Sequence, residues 1–112
     1  MRKFLLFISI LLSTMIIYGQ TPIVDENVDS YTAGTYFAQQ AGSPWTTWSS
    51  APGTSEDPMV STNQASSAPN SVYIQTNNDL VLQLSDYTTG RYAISFKIFV
   101  ESGKLGYFNI LN

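Results

Sequence analysis

Gly90-Arg91-Tyr92-Ala93-Ile94-Ser95-Phe96-Lys97-Ile98-Phe99-Val100 is the most regular stretch of the chain. Tyr92, Ile94, Phe96, Ile98 and Val100 recur at every second position, with Arg91, Ala93, Ser95, Lys97 and Phe99 between them. Side chains of an extended strand alternate between its two faces, so this spacing puts five large apolar groups on one side and a mixed set on the other. The stretch predicts a strand with a core-facing side. Downstream, Glu101-Ser102-Gly103-Lys104 predicts a turn, and residues 106–111 a further strand with Tyr107 or Phe108 pointing inward. Upstream, Val72 and Ile74 make a shorter alternation. Beyond the turn residues Thr76-Asn77-Asn78-Asp79 come Leu80, Leu82 and Leu84, and the two runs read as a β-hairpin or meander.

Further upstream the pattern weakens. From Thr21 to Asn70 the chain is rich in Ser, Thr, Gly, Pro and Ala, with aromatic residues placed singly. No stretch holds a 3.6-residue apolar period for three turns, so helix is not the organising element. Residues 33–41 open next to Gly34 and close at Gly42, and predict an irregular segment or at most a short turn of helix. Early strands are expected near 22–28, 45–48 and 59–62. Five or six strands in all predict an all-β fold, an antiparallel β-sandwich of the jelly-roll type, of which residues 21–112 would be the N-terminal part. A jelly roll takes eight strands in two sheets that bury each other's inner faces. A strand reaching the last residues with an unprotected edge adds to the expectation of an incomplete sandwich.

The first twenty residues read differently. Arg2 and Lys3 precede Phe4 to Ile17, which carry no charge and only Ser9, Ser13 and Thr14 as polar residues. A charged start followed by a short apolar core predicts a cleavable export signal over 1–20, cut near Gly19 or Gln20. A membrane-spanning helix takes about 20 apolar residues, more than this run supplies, and Pro22 ends any helix soon after it. The reading is a secreted or cell-surface protein with no membrane span after cleavage. No cysteine is present, so attachment through a lipidated cysteine is excluded and no disulfide supports the fold.

Without its first twenty residues the chain sets eight acidic residues against Arg91, Lys97 and Lys104, a net charge near −5. Such a chain repels the phosphate backbone, and its three cations form no patch, so nucleic acid is not an expected partner. With no histidine and no cysteine, Ser-His-Asp and Cys-His catalysis are excluded and the commonest zinc ligands are missing. Glu56, Asp57, Asp86 and Glu101 leave a carboxylate pair formally open, as in glycoside hydrolysis, but nothing in the sequence pairs them. The expectation is a protein that is not an enzyme.

Trp45 and Trp48 are the candidate ligand-binding residues. An exposed indole offers a flat apolar face on which a sugar ring or a partner stacks, and a spacing of three puts the two on opposite faces of a regular strand. One is then free to face the core and the other the solvent.

The layout also resembles a known group. Ser30-Tyr31-Thr32-Ala33-Gly34-Thr35-Tyr36, Trp45-Thr46-Thr47-Trp48-Ser49, residues 51–57, Asn70-Ser71-Val72, Gly90-Arg91-Tyr92 and Gly106-Tyr107-Phe108-Asn109 resemble the N-terminal module of large secreted proteins of Bacteroidetes-type bacteria. That module is similar to concanavalin A-like and laminin G-like jelly rolls and to extracellular MAM domains. The resemblance runs from about Val24 to the end. It implies a secreted binding or adhesion accessory module, with carbohydrate or an extracellular protein as partner and carbohydrate as the usual ligand class. It also raises calcium as a cofactor. Asp25, Glu26 and Asp29 form one acidic cluster and Glu56 with Asp57 another, and calcium takes 6–8 oxygen ligands. Asp25, Glu26 and Asp57 are the candidate ligands, with solvated surface acids as the plain alternative.

Overall fold

A computed structural model describes residues 19–85 and 87–111. The export signal read over 1–20 therefore lies almost wholly outside the described residues, as does Asp86. The fold is β-rich. Among the described residues one helix, α1 (Phe37–Ala41), is followed by four short strands: β1 (Trp45–Thr47), β2 (Met59–Ser61), β3 (Ser71–Tyr73) and β4 (Leu80–Leu82). They make two antiparallel two-stranded sheets. In one, Trp45 faces Leu82 and Thr47 faces Leu80. In the other, Met59 faces Tyr73 and Ser61 faces Ser71. No helix among the described residues is long and apolar enough to cross a membrane.

The core forms where α1 meets both sheets. Phe37, Ala38 and Val60 are its buried apolar residues, joined by Thr47, Asp57 and Pro58. The Phe37 ring takes edge contacts from both sides, with Tyr31 at 5.3 Å and Trp45 at 5.2 Å between ring centroids. Residues 34–36 run beside β2: Gly34 N–H donates to Val60 O at 2.8 Å, Val60 N–H to Thr35 O at 2.9 Å, and Tyr36 bridges to Met59.

Five residues is too short for a helix to hold by propensity, so α1 depends on its surroundings. Its first three N–H groups, which have no partner within any helix, are all satisfied from residues 57 and 58. Phe37 N–H donates to Pro58 O at 2.8 Å, Ala38 N–H to Asp57 Oδ1 at 2.8 Å and Gln39 N–H to Asp57 Oδ2 at 2.9 Å. Gly42, at φ +66°, closes the C-terminus with its N–H on Ala38 O.

Three sequence expectations are corrected. The predicted hairpin between the runs around Val72 and Leu80 does not form, because β3 pairs with β2 and β4 with β1. The turn between them is made as expected, with Asn78 N–H on Gln75 O. However, Asn78 Nδ2 also donates to Ser55 O at 3.0 Å, which ties the turn to residues far from either strand and sends β4 across to β1. The second correction concerns residues 22–28, which form no strand. The third concerns residues 91–100 and 106–111, the strongest alternation in the sequence, which also form none.

Residues 91–111 run instead as an exposed arm folded back on itself. Lys104 N–H donates to Glu101 O at the predicted turn, and Phe96 and Phe108 meet at 4.7 Å between centroids. The arm's apolar residues are open to solvent, Leu105 wholly and Tyr107 to 85%. A strand is defined by its ladder, and an alternating segment with no backbone partner remains extended coil. Four strands in two small antiparallel sheets give the described residues their β-rich character.

Candidate functional site

The two tryptophans part company. Trp45 opens β1 and lays its ring against Phe37, half-buried. Trp48 lies just beyond the strand end and is 64% exposed, with its backbone N–H donating to Asp79 O at 3.2 Å. That bond carries the β1–β4 pairing one step further and fixes the backbone beneath the indole.

Beside Trp48 sits a hydrogen-bonded polar pair. Ser49 donates twice to Glu56, from its hydroxyl to Oε1 at 2.7 Å and from its N–H to Oε2 at 3.1 Å. The Ser49 hydroxyl, then its N–H, then Thr47 hold the Glu56 carboxyl below the usual glutamate range, against a small opposing effect of burial. A carboxylate offers about four acceptor positions, so with these three donors in place Glu56 keeps one for a further donor. Asp79 N–H donates to Glu56 O at 2.9 Å, so Trp48, Ser49, Glu56 and Asp79 are joined through backbone and side chain.

A second feature lies on the outer side of β2 and β3, a hollow of about 160 Å³. The Met59–Tyr73 cross-strand pair and Tyr36 form its apolar part, and Ser55, Gln75 and Asn78 its polar edge. Tyr73 is 42% exposed. Asn78 is held rigidly there, its Oδ1 accepting Gln75 N–H at 2.7 Å while its Nδ2 reaches Ser55 O. Sequence reading did not find this hollow. Tyr36, Met59 and Tyr73 come from three separate segments, and only the β2–β3 register and the Tyr36 bridge bring them together.

The predicted metal ligands are not brought together. Among the described residues no group of three or more Asp, Glu, His or Cys side chains converges on one point. Asp25 is exposed. Glu26 works locally, with Oε1 accepting Val28 N–H at 2.7 Å and Oε2 accepting the Tyr31 hydroxyl at 2.8 Å. That bond, with burial and the nearby charge behind it, raises the Tyr31 phenol above its usual range. Asp57 is not a solvated surface acid. It is buried, and its two oxygens accept the N–H groups of Ala38, Gln39 and Gly53.

Gly53 reaches Asp57 at φ +83°, and a Cβ there would lie 2.6 Å from Gln39 Nε2. The backbone conformation favours glycine here, whereas the exposed end of Gln39 is free to swing aside. Asn70 is a buried clamp. Its Nδ2 donates to Tyr31 O at 2.8 Å, with Val28 O and Asp29 O at 3.4 Å. The clamp holds a strained corner, since Val28 sits at φ +68°, a conformation β-branched residues rarely adopt.

No protein-family model, curated protein or solved structure matches this chain.

Proposed function

We propose that this chain is an exported, non-catalytic binding module that presents an aromatic platform to carbohydrate. The observation that carries the reading is the division of labour between the tryptophans: Trp45, half-buried, packs its ring edge against Phe37, while Trp48 stands 64% exposed just beyond β1, next in the chain to Ser49, which holds Glu56. A flat apolar ring next to fixed hydrogen-bonding groups suits a sugar, which has apolar ring faces and hydroxyls around its rim. In this reading the two small sheets and the alternating arm are parts of a jelly-roll sandwich, similar to the concanavalin A-like and MAM-like modules that the sequence resembles. Binding without catalysis agrees with the acidic residues, since Asp57 is committed to three amides and no histidine or cysteine is present.

The test is a screen of the purified protein and its Trp48→Ala variant on an array of neutral and anionic glycans. Retention by at least one neutral glycan, weakened tenfold or more in the variant, is the expected result. An array that retains neither protein, or both equally, overturns the reading.

A second reading, a structural module that spaces or packs against attached domains, is favoured by one observation, the exposure of Tyr92, Ile94, Phe96 and Ile98 along the arm. An apolar row of that length marks a surface that associates. Glycan silence together with an intact cooperative melt would favour it.

A further inference from the structure

We infer that the arm from Arg91 to Glu101 is an interaction surface for a second copy of this chain, the two arms pairing antiparallel about a two-fold axis at Phe96. The inference stands on the arm alone and goes beyond the carbohydrate reading, which it neither needs nor alters.

The backbone supplies the means of pairing. Among the described residues the backbone of 91–111 makes one hydrogen bond, Lys104 N–H to Glu101 O at 3.0 Å, and every residue of that segment is exposed. An extended segment whose N–H and C=O groups lack partners is a template for another strand. The two legs of the arm lie together: Phe96 meets Phe108 at 4.7 Å, and a Cβ on Gly106 would stand 3.0 Å from Ile98 Cδ1 and 3.2 Å from Val100 Cγ2. Residues 106–111 thus occupy one side of 91–100 and leave the other open. Two legs are too few to hold by themselves, since a sheet in water takes about three or more strands with an apolar face. Two arms joined along 91–100 make four, and with an outer leg flanking each copy the assembly closes at two.

The charges name the partner. With Phe96 opposite Phe96 of the second copy, Tyr92 faces Val100 and Ile94 faces Ile98, so the apolar side runs unbroken across both copies. On the other side Ala93 faces Phe99, Ser95 faces Lys97 and Arg91 faces Glu101. The two-fold axis repeats that last pair, so each end of the joined strands carries one pair of opposite charges. Arg91 and Glu101 lie at opposite ends of one leg, roughly 33 Å apart when it is extended, and cannot meet within it. Neighbouring registers lose the match. Centring on Lys97 sets that lysine against its own copy and Arg91 against Gly103, whereas centring on Ser95 sets Arg91 against Phe99 and Glu101 against Thr89. A slip of one residue turns the apolar side chains of one strand to the polar side of the other. An unrelated partner need not carry complementary charges at this spacing; a second copy does.

The experiment is sedimentation velocity of the purified protein from about 0.1 μM to about 100 μM, a range over which a reversible dimer passes from mostly dissociated to mostly formed. The variants are Arg91→Glu, Glu101→Arg and the double exchange, all at exposed positions and each checked for an unchanged melt. The unaltered protein should pass from monomer to dimer as concentration rises. Each single variant sets like charges opposite one another at both ends and should weaken the dimer about tenfold or more. An equimolar mixture of the two single variants should pair again, because each then supplies the charge that the other lacks, and the double exchange should restore the dimer within one protein. Amide exchange of 92–100 should slow as the dimer forms. A protein that stays monomeric throughout, or that passes directly into open-ended aggregates, overturns the inference. So does a dimer that neither single variant weakens, that the mixture fails to restore, or that forms with no added protection of 92–100.

Discussion

Asp57 joins the loop at Gly53 to the first turn of α1 through one carboxylate and three backbone N–H groups. Hydrogen bonds to an ionised group contribute more than neutral ones, and removing the acceptor leaves the buried Ala38 N–H bare at about 1–3 kcal/mol while the part-buried Gln39 and Gly53 N–H groups lose their partner as well. Asp57→Ala should therefore cost about 3–5 kcal/mol, a large share of a small domain's stability, and a chemical-denaturation midpoint will show it. Glu56 gives a local pH dependence. Its carboxyl titrates below the usual range when folded, so the contribution is present above the unfolded-state pKa and is lost as pH falls through the folded one. A melting temperature that declines on acidification through that window, with a smaller decline in Glu56→Gln, is the expected outcome. Tyr31 acts on the alkaline side. Its phenol is raised, so its contribution is present below the ordinary tyrosine range and disappears as pH climbs through the folded value.

At the scale of elements, the turn at Gln75 to Asn78 decides which strands meet. Asn78 anchors it to Ser55 O, with Asp57 O at 3.4 Å. Asn78→Ala should lower stability by about 1–2 kcal/mol and speed amide exchange in β4 more than in β2, as measured by hydrogen–deuterium exchange. The positions of all four strands were legible because Trp45–Thr47, Met59–Ser61, Ser71–Tyr73 and Leu80–Leu82 carry β-branched, aromatic or aliphatic residues next to turn formers. Their pairing was not legible. A turn between two apolar runs reads locally as a hairpin, and the bond that overrides it comes from Ser55, more than twenty positions away. Alternation at 91–100 misled in the other direction, since period two shows what a segment offers a sheet but not whether a ladder exists. The site was half legible: an exposed tryptophan follows from the spacing of 45 and 48, whereas Asp57 looks like any surface acid until the amides that bury it are in place.

Over the whole molecule the apolar side chains are unevenly sheltered. Phe37, Val60 and their neighbours are sealed, while the arm from 91 to 111 leaves phenylalanine, tyrosine and isoleucine side chains open. Its backbone lacks a ladder, and segments with few buried contacts open most readily. A protease that cuts after aromatic residues should first cleave between Tyr92 and Phe108 and should spare Phe37 and Trp45. Mass spectrometry of the early fragments checks this, and early cutting at Phe37 would show that the core is no better protected than the arm. The Asn70 clamp has a slower consequence, for chemical ageing. An asparagine followed by serine loses its amide when the next backbone nitrogen swings round to attack the side chain, and a buried amide held on Tyr31 O resists that swing. Once converted to aspartate, the same side chain would press a charge against carbonyl oxygens in place of a donor, a buried and unpaired arrangement that folding tolerates poorly. The corner at Val28 to Tyr31 therefore protects its own key residue for as long as the molecule stays folded, and an aged molecule that loses it would be marked by its own instability.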